Sequence, residues 1–170
     1  VNDSSTPTTY TASELEAFKQ AFRRHAAGVA VVTTLLPDGS PAGFTATSLA
    51  SLAATPPLAT FNMGRISTAW PGMTVGNRVV IHTLGPRTKY HAERMAAAHE
   101  LRFAGDDHEL GPHGIPVLKN VTSWMLAQII EVHPVHDNAV VVVRIEDGAL
   151  GEPDEALLYH EREYHRPAAL

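Results

Sequence analysis

The chain reads as mainly β with α: an antiparallel barrel with two or three peripheral helices. Three observations predict this. About seven short runs rich in β-branched and apolar residues recur along the sequence, among them GVAVVTTLL, LATFNM, RVVIHTL and AVVVVRI. Successive runs are mostly separated by short turns, which favours antiparallel pairing. The strand–helix alternation of a doubly wound parallel sheet is absent. A length of 170 residues suits one domain with a real core. Residues 1–12 are expected to be a flexible N-terminal arm, and residues 13–170 a single domain.

The first helix is expected to open at Ser13, with Glu16 completing a capping box, and to end near His25 or Ala26. Leu15, Phe18, Ala21 and Phe22 fall on one face at helical spacing. Residues 28–36 are a β-branched strand, and Pro37-Asp38-Gly39-Ser40 is a turn, because Pro presets φ and Gly accepts positive φ. The partner of that hairpin is residues 43–57, GFTATSLASLAATPP. Pro56 and Pro57 break its ladder, since neither donates a backbone hydrogen bond. A strand follows at 58–63, then a segment in which Ser67 caps a short helix stopped by Pro71-Gly72. A strand at 78–84 and a helix at 89–99 come next. Residues 105–114 are a Gly-, Asp- and His-rich loop. Residues 121–132 read as a strand, although an apolar helix fits the pattern too. Residues 139–145 form a central strand, Asp147-Gly148 a turn and residues 156–159 a last short strand.

Composition excludes several function classes. A net charge of −5 without a basic run disfavours nucleic acid. The absence of cysteine removes disulfides, thiolate catalysis and Cys-based zinc sites. The longest apolar run is too short to span a bilayer, and the polar N-terminus lacks the pattern of a secretory signal. A cytoplasmic location without membrane attachment is the expectation. The ten histidines match no H-E-x-x-H spacing. There is also no G-x-S-x-G elbow and no Gly-rich phosphate loop.

Residues 43–57 are unusual for a buried strand. No charged residue lies between Asp38 and Arg65, yet the stretch carries hydroxyls at Thr45, Thr47, Ser48, Ser51 and Thr55. Small hydroxyl side chains leave room and leave polar groups in need of partners. A polar ligand lying flat on the strand supplies both; so does water along an edge strand.

The order of segments carries a resemblance. GVAVVTT, GFTATSLASLAATPPL, FNMGRIST, RVVIHTL, an alanine-rich helix ending in RFAG, GIPVL and LLYHEREYHR follow one another as in the short-chain flavin reductases. The chain resembles this FMN-binding split-barrel family over about residues 14–166. The resemblance implies a split β-barrel, a homodimer, FMN or FAD as flavin, NAD(P)H as reductant, and a flavin-dependent monooxygenase as partner.

It also implies site residues. Phe44, Thr45, Ala46, Thr47, Ser48 and Ser51 match the strand that contacts flavin. Arg65, Ile66, Ser67 and Thr68 match the segment that receives the phosphate, a role suited to a cation, two hydroxyls and free amides. Phe103, Ala104 and Gly105 match a segment that lies over the cofactor. His82 either bonds the flavin or is a satisfied core histidine. No side-chain catalyst is implied, because the cofactors carry the chemistry. The departure is at residues 136–138: many family members have Gly-Asp-His, and that His is linked to nicotinamide binding. Here Asn138 replaces it, and Val143 stands where Gly is frequent. Asn donates and accepts hydrogen bonds but carries no charge, which bears on NAD(P)H use more than on flavin binding. A flavin binder without reductase activity, a split barrel using haem or a deazaflavin, and a metal-binding module are the rival readings.

Overall fold

Residues 9–170 are described by the structure, a computed structural model. Residues 1–8, most of the expected arm, lie outside the described residues. In chain order the elements are α1 (Ala12–Arg24), β1 (Ala27–Gly28), β2 (Ala30–Leu35), β3 (Pro41–Ala46), β4 (Ala50–Ala54), β5 (Pro57–Gly64), β6 (Arg78–Thr83) and α2 (Lys89–Ala96). There follow β7 (His108–Leu110), β8 (Pro116–Leu118), β9 (Ser123–Val135), β10 (Asn138–Leu150), β11 (Leu158–His160) and β12 (Glu163–His165).

Seven strands form one antiparallel sheet in the order β3-β2-β6-β9-β10-β5-β4. β3 and β4 occupy opposite edges, yet only Thr47, Ser48 and Leu49 connect them. Four residue steps reach about 14 Å at most, whereas the edges of a flat seven-stranded sheet stand about 29 Å apart. The sheet must therefore roll until its edges come together. They are not hydrogen-bonded to each other, so the barrel stays split, as the sequence predicts.

The stretch 43–57 is thus two edge strands and a crossing rather than one strand. The rolled interior is lined by alternate residues: Ala30 and Val32 of β2, Phe61 and Met63 of β5, Val79 and Ile81 of β6, Ile129 of β9, Val141 and Val143 of β10. On the outer side, α2 sets Ala92 and Met95 against Val31, with Leu118 beneath them. β2 and β6 are buried on both faces, which explains their unbroken apolar runs. β5 has one buried face and alternates instead.

Several boundaries differ from the expectation. The capping box uses Thr11 and Glu14, two residues earlier than Ser13 and Glu16. α1 buries none of its residues; Phe18 and Phe22 stay 60% and 59% exposed. α2 ends at Ala96 and gives way to a 3-10 turn at His99–Leu101. The short segment after Ser67 is likewise a 3-10 turn, Trp70–Gly72. Part of the expected 105–114 loop pairs as β7 with β8. Asp147-Gly148 is no turn: both lie inside β10, just past a bulge. A Cβ on Gly148 would stand 2.6 Å from the Trp124 carbonyl oxygen, so glycine permits close approach there rather than reversal. The polar tail forms the β11–β12 hairpin.

His82 resolves to the core alternative. Its ring is fully buried on β6; Nδ1–H donates to the Val31 carbonyl at 3.1 Å, and Nε2 accepts the Leu118 amide at 3.1 Å. Both ring nitrogens are engaged only in the neutral form, and the ring has no exposed surface. Burial pushes its pKa down from 6.5 to about 4, a shift the Val31 hydrogen bond opposes only in part. His91 on α2 is buried too, donates from Nε2 to the Lys119 carbonyl at 2.9 Å, and is also shifted down by burial.

The unfolded chain takes up protons at these sites near pH 6.5, and the folded chain does so only at lower pH. Stability therefore falls as pH drops from about 6.5 to about 4, by about 3 kcal/mol for His82. Urea unfolding at pH 7 and at pH 4.5 measures this. His82→Asn is expected to flatten the difference, leaving the share due to His91. An undiminished difference would contradict the assignment.

Candidate functional site

The crossing between the sheet edges and the loop after β5 meet at one end of the barrel. Ser48 pins the crossing to β5: its Oγ accepts the Asn62 amide at 2.8 Å and donates to the Asn62 carbonyl at 3.3 Å. Thr47, one residue earlier, is exposed. Two residues beyond Asn62, Gly64 pairs with Asn138 at the start of β10. The 65–68 segment follows at once, and Arg102 joins it to β3, donating from Nη1 to the Gly43 carbonyl at 2.8 Å and to Thr68 Oγ1 at 3.1 Å. The result is an open mouth bounded by residues 46–48, 62–68, 102–103 and 136–138.

Within the mouth, some expected residues present unengaged polar groups and others do not. Among the described residues, the amides of Ile66 and Thr68 have no hydrogen-bond partner. Ser67 Oγ accepts the Ala69 amide at 3.3 Å, which leaves its proton available. Thr68 Oγ1 accepts from Arg102 and keeps its own O–H to donate. A turn with unpartnered amides and hydroxyls that still have a proton to donate is a recurrent anion cradle.

Thr45 behaves otherwise. Its hydroxyl donates to the Ala92 carbonyl of α2 at 2.6 Å, on the face of β3 away from the barrel interior. The reason is strand alternation: Ala42, Phe44 and Ala46 turn inward, Gly43 and Thr45 outward. Thr45 is thus a clamp between sheet and helix, and only its backbone remains for a ligand. Phe44 packs inward against Phe61, with ring centroids 5.8 Å apart. Ser51 lies on β4 and lines an apolar groove with Leu49, Leu58, Met125 and Ile145.

Arg65 is likewise turned from the cradle. Its Nη1 donates to the His136 carbonyl at 3.0 Å, its amide donates to the Asp137 carbonyl at 2.8 Å, and its guanidinium sits 5.6 Å from the Trp70 ring centre. It holds the β9–β10 turn that carries Asn138. Phe103 packs behind β3, its ring near Met95 and edge-on to His108 at 5.5 Å. Ala104 accepts from Arg94 at 3.3 Å, and Gly105 follows at φ +90°, a conformation that suits glycine. The residue of this segment that reaches the cradle is Arg102, which sequence reasoning passed over. Its signal was faint: one Arg inside RFAG, with nothing to say that 34 residues of separation would close on Thr68.

Residues 22–168 match the model of the flavin reductase like domain. The chain belongs to the flavin reductase-like family. A flavin reductase domain protein from Arthrobacter sp. FB24 is 45% identical and superposes with a TM-score of 0.87, covering 92% of this chain and 97% of that one. An NADH:FMN oxidoreductase from Rhodococcus qingshengii is 38% identical over 159 residues, which is 90% of this chain and 82% of that protein. The reductase component of 4-hydroxyphenylacetate 3-monooxygenase from Pseudomonas aeruginosa is 28% identical over 161 residues, 91% of this chain and 95% of that one. This flavin reductase-like chain therefore shares the fold of its relatives over nearly its whole length.

The mouth depends on how closely Phe103 and Met95 approach β3. A Cβ on Gly43 would lie 3.1 Å from Met95 Sδ, 3.1 Å from Phe103 Cζ and 3.1 Å from the Val32 carbonyl oxygen. The carbonyl belongs to the sheet and cannot yield. Gly43→Ala is expected to destabilise the fold by about 1–3 kcal/mol, read from urea unfolding at pH 7.

Proposed function

We propose that this protein is an NAD(P)H:flavin oxidoreductase that binds FMN or FAD at the open mouth. The observation that carries the reading is the set of unpartnered donors at residues 66–68 beside the small-residue crossing at 46–48. The residues present fit a flavin nucleotide. The Ile66 and Thr68 amides with the Ser67 and Thr68 hydroxyls suit a phosphate. Backbone around Ala46 and the exposed Thr47 suit the polar edge of a flat ring. Ile66 is 97% exposed at its rim, an apolar contact for ring or ribityl chain.

A bound flavin supplies an acceptor for the hydride given up by the nicotinamide. The chain's own part is to place two planar groups face to face and keep one face open. Asn138 stands on the nicotinamide side, one residue past the turn that Arg65 holds. Its side-chain amide would offer a carboxamide hydrogen bonds without adding charge. No side-chain acid or base is needed at the mouth.

The oligomeric state proposed is a homodimer. Its support is the set of apolar surfaces that one copy leaves uncovered: the Phe18–Phe22 face of α1, all of edge strand β4, and the groove along Leu49, Leu58, Met125 and Ile145. Two relatives, in Pseudomonas aeruginosa and in Rhizobium meliloti, are named as reductase components of larger oxygenase or demethylase systems. Delivery of reduced flavin to a monooxygenase in the cytoplasm, where NAD(P)H is available, is the corresponding role proposed here. No helix among the described residues is long and apolar enough to cross a membrane.

Purified protein mixed with FMN and NADH, or NADPH, is expected to consume the nicotinamide absorbance. Retained flavin without any nicotinamide oxidation would instead mark a flavin carrier, the alternative that Asn138 raises. Asn138→Ala is expected to raise the KM for the nicotinamide several-fold while leaving the flavin Kd within twofold. Light scattering is expected to report a dimer, and Phe18→Glu with Phe22→Glu to shift it toward monomer.

A further inference from the structure

Among the described residues neither cation of the mouth, Arg65 or Arg102, pairs with a carboxylate, and Arg102 is the half-buried one of the two. The half-buried arginines elsewhere pair with carboxylates: Arg78 with Glu146 at 2.7 Å and Arg94 with Asp107. Arg102 is half-buried too, but it faces only neutral oxygens. Nε donates to the Ala97 carbonyl at 3.0 Å, and Nη1 donates to the Gly43 carbonyl and to Thr68 Oγ1. Among the described residues no carboxylate pairs with it. A partly desolvated guanidinium held by carbonyls keeps its full charge and lacks the anion that would offset its desolvation.

The donor inventory shows where such an anion belongs. A guanidinium has five N–H groups. Three are engaged by the contacts above, which leaves both protons of Nη2 without a partner. Thr68 Oγ1, already accepting from Arg102, keeps its own proton to donate. The unpartnered Ile66 and Thr68 amides lie on the same segment. Arg102 and these donors are joined through Thr68, which accepts from Arg102, whereas Arg65 contacts the His136 carbonyl and the Trp70 ring. The orientation of Arg102 is itself fixed, because three acceptors on three different segments hold the guanidinium plane.

Resting on the flavin reading above, we propose that Arg102, and not Arg65, is the cation that binds the 5′-phosphate of the flavin nucleotide, so that this residue makes the protein prefer FMN over riboflavin. Arg102 supplies a forked, charge-assisted contact to a dianionic phosphate ester, and Thr68 is the hydroxyl it positions. Nicotinamide nucleotides carry phosphate as well, so the same chemistry has a second source, which the experiment separates.

Flavin fluorescence quenching gives the Kd of FMN and of riboflavin for the unaltered protein and for Arg102→Gln, Arg102→Lys and Arg65→Gln. The unaltered protein is expected to bind FMN more tightly than riboflavin. Arg102→Gln is expected to weaken FMN roughly ten- to hundredfold and riboflavin less than twofold. Arg102→Lys recovers part of the loss, and Arg65→Gln leaves the FMN-to-riboflavin ratio unchanged. Equal weakening of both flavins would make Arg102 a mere brace of β3 and overturn the proposal. So would a raised KM for NADH at an unchanged FMN-to-riboflavin ratio, which would give the phosphate to the nicotinamide nucleotide. Failure of the unaltered protein to bind either flavin would instead overturn the flavin reading, and the proposal with it.

Discussion

Everything in this structure depends on a three-residue crossing. Thr47, Ser48 and Leu49 carry the chain from one edge of a seven-stranded sheet to the other. A chain so short cannot span a flat sheet, so the sheet rolls, and the rolled interior becomes the main hydrophobic cluster. The crossing must also be slim. Ala46, Thr47 and Ser48 meet that demand, and Ser48 fastens the crossing to Asn62 through both its lone pair and its proton. The same small residues leave the mouth open at this end. Fold closure and access to the site thus share one cause.

Around the mouth, polar residues of the same type have opposite roles, and their neighbours decide which. Thr45 and Thr68 are both threonines of the matched segments. One is tied to the Ala92 carbonyl behind the sheet; the other accepts from an arginine and keeps its own proton to donate. Arg65 and Arg102 divide in the same way. Arg65 is exposed and joins a turn and an indole, whereas the half-buried Arg102 joins β3 to the 65–68 segment and keeps one nitrogen unengaged. His82 shows the limiting case, in which both nitrogens are satisfied inside the core and burial keeps the ring neutral. A hydrogen-bonding side chain is a candidate ligand only when the fold leaves part of its capacity unmet.

The apolar face of α1 needs a different account. Leu15, Phe18, Ala21 and Phe22 recur at helical spacing, a pattern that normally marks packing against the core. Here the helix caps itself well through Thr11 and Glu14 but buries nothing within its own chain. Periodicity reports that a face is apolar; it does not report what covers it. The second copy proposed above would cover this face together with β4.

What the amino-acid sequence by itself determined is local. β-Branched runs, Pro-Gly punctuation and hydroxyl-rich small residues marked the strands, the β2–β3 hairpin and the segments around the mouth, because propensity and alternation act over a few residues. They also carried the family. Tertiary structure alone decided which edge each half of residues 43–57 joins, that Gly148 serves close approach rather than a turn, and that His82 belongs to the core. It alone brought Arg102 to Thr68 while leading Arg65 away. Those outcomes rest on contacts between residues tens of positions apart, and the physical reason is that a side chain's unmet charge or hydrogen bond exists only once every other group around it has been placed.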